Sequence, residues 1–134
     1  MTIQEAIEAR HSVRAYKELP LAEDVVKVLE EQIGLMNHEG NLHIQLILNE
    51  PKAFLGTMAK YGKFRNVGNY IVMVGKKADD LDERIGYYGE HLVLLAQTLG
   101  LNTCWVGLSY SKVPGTYVLD EGEKFWPFVP LLCH

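Results

Sequence analysis

Arg10, His11, Ser12, Arg14 and Lys17 fall within eight positions in the stretch EARHSVRAYKELP, residues 8–20. Each brings a group that an anion can use. Arginine presents a planar fork that matches paired phosphate or carboxylate oxygens. A serine hydroxyl and neighbouring backbone N–H groups add neutral donors. Alternate residues of an extended segment share a face, which would set Arg10, Ser12 and Arg14 side by side. The same composition also describes a solvated basic turn with a capping serine.

Other chemistry finds little support in the residue order. The sequence contains no G-x-G-x-x-G, no G-x-x-x-x-G-K-[ST] and no G-x-S-x-G, so neither a nucleotide fingerprint nor a nucleophile elbow is supported. His11, His38, His43, His91 and His134 show no ligand spacing and are expected to be surface or partly buried side chains, not metal ligands. Paired acids such as Glu30–Glu31 and Asp79–Asp80 suit solvated faces and helix ends. Ser109 and Ser111 have no evident partner base. The chain has 13 basic and 17 acidic residues and a net charge of −4, which disfavours general nucleic-acid binding and points the basic cluster at a small anion. Cys104 and Cys133 form neither a CxxC pair nor a zinc spacing, so a reducing compartment is expected. With no signal-like h-region and no membrane-length apolar run, the expected location is cytoplasmic.

The elements that must position the cluster can be read from periodicity. The 134 residues suit one domain, and 48% are apolar, enough for a real core. Thr2 and Glu5 form a capping-box pattern at the head of a helix over 2–10, with Ile3, Ala6, Ile7 and Arg10 on one face. Pro20, Glu23 and Asp24 open a second helix over 21–36, whose inner stripe is Val25, Val28, Leu29, Gln32, Ile33 and Met36. NHEGN reads as a loop, and LHIQLILN (42–49) as an alternating strand. A short helix is expected within EPKAFLGTMAKYG. NYIVMVG (69–75) has the continuous apolar run of a strand covered on both faces.

A long helix over 81–99 follows, closed by Gly100, with Ile85, Tyr88, Leu92, Leu95, Ala96 and Leu99 in one stripe. Val93 and Leu94 add apolar surface on other faces, so its second half should be buried on more than one side, centrally or at a subunit interface. NTCWVGL (102–108) reads as a strand. Gly107 at its end would permit close approach of a ligand, although an ordinary junction with Trp105 in the core fits the same residues. After a loop, FWPFVPLLCH is strongly apolar, yet Pro127 and Pro130 argue against a central strand. An arm packed on a partner, or an ending altered relative to longer relatives, are the two readings of this segment.

Taken in order, these pieces resemble the FMN-dependent nitroreductase family. IEARHSVRAYKELPL is similar to its opening helix followed by Arg–x–Ser–x–Arg–x–aromatic. FRNVGNYIVMVGKK resembles the strand before its central helix, and RIGYYGEHLVLLAQTLGLNTCWVG that helix with the glycine-containing strand after it. The resemblance covers about residues 2–120. It implies an α+β fold with a central, mostly antiparallel sheet flanked by helices, in an intertwined homodimer with FMN at the interface. It implies that Arg10, His11, Ser12 and Arg14 hold the FMN phosphate and ribityl chain. Trp105, Val106 and Gly107 would face the flavin ring, with a backbone N–H near N5, and Asn41 and Leu42 would approach the ring from the partner subunit. Family members commonly continue through another strand and a C-terminal segment, so the single domain, 1–134, is expected to be incomplete in its C-terminal part. The implied activity is hydride transfer from NAD(P)H through the flavin to a nitroaromatic, a quinone or a similar acceptor, in a ping-pong cycle. No catalytic side chain, metal, nucleic acid or membrane is required. The alternative is a flavin-binding or degenerate relative without turnover, acting in storage, sensing or as a dimeric scaffold.

Overall fold

The computed structural model of the protein describes residues 1–11, 21–48, 69–105 and 118–133. Ser12, Arg14, Lys17, the short helix expected within 50–62, Val106, Gly107, Ser109 and Ser111 lie outside them. The described elements run in the order α1 (Ile3–Ala9), α2 (Glu23–Gly40), β1 (Gln45–Ile47), β2 (Tyr70–Lys76), α3 (Leu81–Thr98), β3 (Leu101–Thr103) and β4 (Glu123–Cys133). The four strands form one sheet in the order β1-β2-β4-β3, and every neighbouring pair is antiparallel. The α+β architecture expected from the sequence is therefore present.

The opening helix is fixed by local chemistry. Thr2 and Glu5 make the reciprocal capping box: the Glu5 N–H donates to the Thr2 hydroxyl (3.1 Å), and Thr2 N–H reaches back to the Glu5 carboxylate (3.4 Å). Of the apolar face expected on α1, only Ala6 is buried, while Ile3 and Ile7 remain 42% and 54% exposed. The inner stripe of α2 packs as its period requires, with Leu29, Ile33 and Met36 buried.

Two boundaries differ from expectation, and one side chain explains both. α2 continues through NHEG to Gly40, and β1 begins only at Gln45. Asn37, on the last turns of α2, grips Ile44 at both of its backbone groups. Its Nδ2 donates to the Ile44 carbonyl (3.0 Å), and its Oδ1 accepts from the Ile44 N–H (2.7 Å). A loop composition is overridden by a contact seven residues along the chain. The clamp also satisfies both backbone groups of the residue just before β1, an edge strand. Asn41 then ends α2 in the left-handed conformation (φ 51°, ψ 53°), which asparagine tolerates better than most residues.

β2 is the buried strand its apolar run suggested: Tyr70 through Val74 are fully buried. The largest departure is β4. A strand containing Pro127 and Pro130 lies between β2 and β3, not at an edge. The ladder explains how. Phe128 pairs with Val72 and Trp126 with Met73, so Pro127 is the extra residue of a β-bulge and has no ladder position to fill. Pro130 stands where pairing with β2 ends, and residues 131–133 pair with β3 instead. β3 itself is shorter than expected, ending at Thr103, so Cys104 and Trp105 follow the strand.

α3 crosses this sheet and also touches α1 and α2. Leu92, Val93, Ala96 and Gln97 are buried in succession around its second half, as the apolar pattern there required. Full burial of a leucine such as Leu92 contributes about 1.5–3 kcal/mol. Gly100 takes φ +80° and turns the chain directly into β3. Asn37→Ala is expected to cost about 1–3 kcal/mol by leaving the Ile44 backbone groups without partners. A lowered urea midpoint with an unchanged slope measures this, and an unaltered midpoint would refute the clamp's role.

Candidate functional site

The candidate residues within the described chain meet α3 from different sides. α1, which delivers the basic cluster, lies against α3. At Arg10 the chain leaves the helix in an extended conformation (φ −64°, ψ 133°), and the Arg10 N–H donates the last helical bond to Ala6 (2.9 Å). Arg10 is half-buried and His11 is exposed. The His11 Nδ1–H donates to the Ala9 carbonyl (3.2 Å), folding the ring back on the helix end.

Asn41 and Leu42 leave the C-terminus of α2, whose unpaired carbonyls carry partial negative charge. Arg84 on α3 answers them: its Nη1 donates to the carbonyls of Gly40 (2.9 Å) and Asn41 (3.1 Å), while Nε pairs with Asp80 (3.3 Å). Glu39, Gly40, Asn41, Asp80, Arg84 and Tyr88 line a surface depression of about 410 Å³. Desolvation, with the Glu39 carboxylate alongside, holds the Tyr88 phenol above its ordinary value, so it stays a protonated donor. Leu42 differs from Asn41. Leu42 is 8% exposed, belongs to the core cluster with Leu81 and Ile85, and donates its N–H to the Asn37 carbonyl (3.1 Å), so its own carbonyl is the group left to meet a ligand.

Trp105 docks on α3 at Gly89 and Glu90, one and two residues after Tyr88. Its Nε1–H donates to Glu90 Oε2 (2.8 Å). Its ring lies so close to Gly89 that a Cβ there would stand 2.5 Å from Cη2 of Trp105 and 3.2 Å from Cε of Met73. A glycine inside a helix costs about 1 kcal/mol relative to alanine, and here the close approach of the indole explains it. Cys104, just before, is a buried free thiol whose S–H donates to the Trp105 carbonyl (3.5 Å). Core packing of Trp105 and its place beside the candidate segment Val106–Gly107 are therefore compatible.

Arg84, Gly89 and Glu90 were not singled out by the sequence. The signal available was Gly89, a helix-breaking residue in the middle of an otherwise strong helical stripe.

With this geometry in view, comparison with known proteins is informative. Residues 2–131 match the family described as "Putative TM nitroreductase", and the chain belongs to that nitroreductase family. A nitroreductase with bound FMN from Bacteroides fragilis is similar in structure, with a TM-score of 0.71 at 19% identity over 99% of this chain and 88% of that one. An FMN-dependent nitroreductase from Clostridium difficile gives a TM-score of 0.71 at 15% identity, covering 96% of this chain and 85% of that one. A protein described as a "Putative NADH dehydrogenase/NAD(P)H nitroreductase" from Parabacteroides distasonis gives 0.71 at 17% identity, covering 97% and 85%. No functionally curated protein matches the sequence. At these identities the structural likeness establishes the fold.

Gly89→Ala is expected to push the Trp105 indole off α3 and to destabilise the protein by about 1–3 kcal/mol. Near-ultraviolet circular dichroism and thermal melting report both effects, and an unchanged aromatic spectrum would show that the close contact does not fix the ring.

Proposed function

We propose that this protein is an FMN-dependent oxidoreductase that draws reducing equivalents from NAD(P)H and delivers them to a nitroaromatic, a quinone or a similar acceptor in ping-pong alternation. Membership in the nitroreductase family supports oxidoreductase chemistry. Neighbours named for FMN and for NAD(P)H support the choice of cofactor and donor. The observation that carries the proposal is the end of α1. The helix stops at Arg10 and the backbone turns extended there, so the cationic stretch begins on a segment already anchored to α3.

The donor set suits a phosphate monoester. Arg10, His11, Ser12 and Arg14 would hold the phosphate and the ribityl chain, through guanidinium forks, an imidazole, a hydroxyl and backbone N–H groups. Trp105, Val106 and Gly107 would line the flavin ring, with Glu90 fixing the indole of Trp105. Asn41 and the backbone of Leu42 would approach the ring from the partner subunit of a homodimer, with Arg84 holding their loop. Ile3 and Ile7, one turn apart on α1, and Leu35 on α2 leave apolar side chains at the surface, which favours a second subunit. When bound, FMN supplies the two-electron transfer itself, and the chain supplies orientation and electrostatics. No side chain need act as nucleophile.

The purified protein should be yellow and should bleach anaerobically with NADH or NADPH. Colourless protein that takes up no added FMN would overturn the assignment, and bound flavin that neither nicotinamide reduces would favour a binding protein without turnover. Arg14→Ala should weaken FMN retention by about 1.5–3 kcal/mol, the scale of a lost charge-assisted hydrogen bond. A fluorescence titration measures this, and unchanged affinity would remove Arg14 from the phosphate site.

A further inference from the structure

Immediately after Leu42 in the chain, three ligand-type side chains converge where the start of β4 meets the segment leading into β1. The His43 Nδ1–H donates to Glu123 Oε1 (2.9 Å), and Asp120 Oδ2 stands 3.9 Å from the same nitrogen. One ligand atom from each residue lies within 4.8 Å of the other two. We propose that His43, Asp120 and Glu123 form a binding site for a divalent first-row transition metal ion.

The geometry matches what such an ion imposes. Bonds of about 2.0–2.2 Å to nitrogen and oxygen place neighbouring ligand atoms about 3–4.4 Å apart, close to the separations already present. The ion would take the place of the proton now shared by His43 and Glu123, with water completing its shell. In a neutral imidazole that proton would move to Nε2, so binding would release a proton only from an imidazolium.

The ligands are also held in position by further bonds, most of them made by backbone atoms. His43 N–H donates to Val74 (2.8 Å), which fixes His43 against β2. Gln45 grips Val118 at both backbone groups, donating from Nε2 to its carbonyl (2.6 Å) and accepting its N–H at Oε1 (2.8 Å). The turn that follows is closed by Glu123 N–H to the Asp120 carbonyl (3.0 Å) and by Lys77 N–H to Gly122 (3.0 Å). Glu123 also accepts the Asp120 N–H at Oε1 (2.8 Å), leaving Oε2 as its other oxygen.

Charge favours a cation as well. The Glu123 side chain is only 6% exposed, and a buried carboxylate needs positive charge beside it. Burial alone would raise its pKa, but hydrogen bonds from His43 and the Asp120 N–H, with the charges of His43 and Lys76, hold it below the ordinary carboxylate range. Lys76, the partner of Glu123 across the ladder, adds one positive charge opposite the two carboxylates. An imidazole among the ligands favours zinc, copper, iron or nickel over magnesium and calcium. Sequence spacing hides the site because His43 and Glu123 are 80 residues apart.

The test is isothermal titration of the chelator-treated full chain with Zn²⁺, Mn²⁺ or Mg²⁺, without reference to flavin. We expect one Zn²⁺ per chain, weaker Mg²⁺ binding, and a loss of roughly tenfold or more in Zn²⁺ affinity for both His43→Gln and Asp120→Asn. Asp120 is 67% exposed at its side chain, so Asp120→Asn keeps the test decisive if His43→Gln perturbs folding. Circular dichroism confirms that the variants are folded. The proposal is overturned if folded wild-type protein shows no saturable binding at millimolar Zn²⁺. It is equally overturned if Mg²⁺ binds as tightly as Zn²⁺, or if Zn²⁺ affinity survives in folded Asp120→Asn protein.

Discussion

Burial of α3 on several sides is the constraint around which this small protein is organised. A helix that presents Leu92, Val93, Ala96 and Gln97 inward in succession has no single wet face over its second half. It must be covered by both the sheet and the other helices, and it is. Functional groups then have to be attached to α3 rather than built from its core-facing side chains. Arg84 holds the end of α2, Gly89 and Glu90 hold Trp105, and α1, which ends at Arg10, packs alongside. The candidate residues lie on separate segments whose relative placement is inherited from one rigid element.

Polar side chains that grip backbone are the second theme. Asn37 takes both backbone groups of Ile44, and Gln45 takes both of Val118. A carboxamide carries a donor and an acceptor side by side, so one side chain can satisfy a whole residue as a neighbouring strand would. These two clamps stitch α2 to the lead into β1, and β1 to the approach to β4. They let a three-residue strand keep its place at the edge of the sheet.

Much of the fold was legible because it is written in short-range terms. Thr2 and Glu5 announce α1, the apolar run at Tyr70–Val74 announces β2, and the stripe from Ile85 to Leu99 with Gly100 behind it announces α3. What failed depended on distant partners. The composition of NHEG favours a loop, and contacts from outside it, the Asn37–Ile44 clamp and the Arg84 bonds to Gly40 and Asn41, support those residues as the end of a helix. Prolines argue against a central strand until a bulge gives Pro127 somewhere to stand, and a bulge is a property of a pair of strands. For the candidate site, family resemblance pointed to the basic cluster and the Trp105 segment as candidates. It could not reveal Arg84 or Glu90, whose roles arise from carbonyls and an indole nitrogen brought to them by the fold.

β4 carries a consequence for how the molecule comes into being. It inserts between β2 and β3, both of which precede it in the chain, and its partners in β2 are about fifty residues away. Until β4 arrives, β2 lacks one neighbour and β3 has no strand beside it among the described elements. The helices can form early from local signals, but the sheet can close only late. During that interval the apolar surface of β2 waits uncovered at one edge, so the slow and aggregation-exposed step of folding should be the threading of a proline-bearing strand into the middle of the sheet.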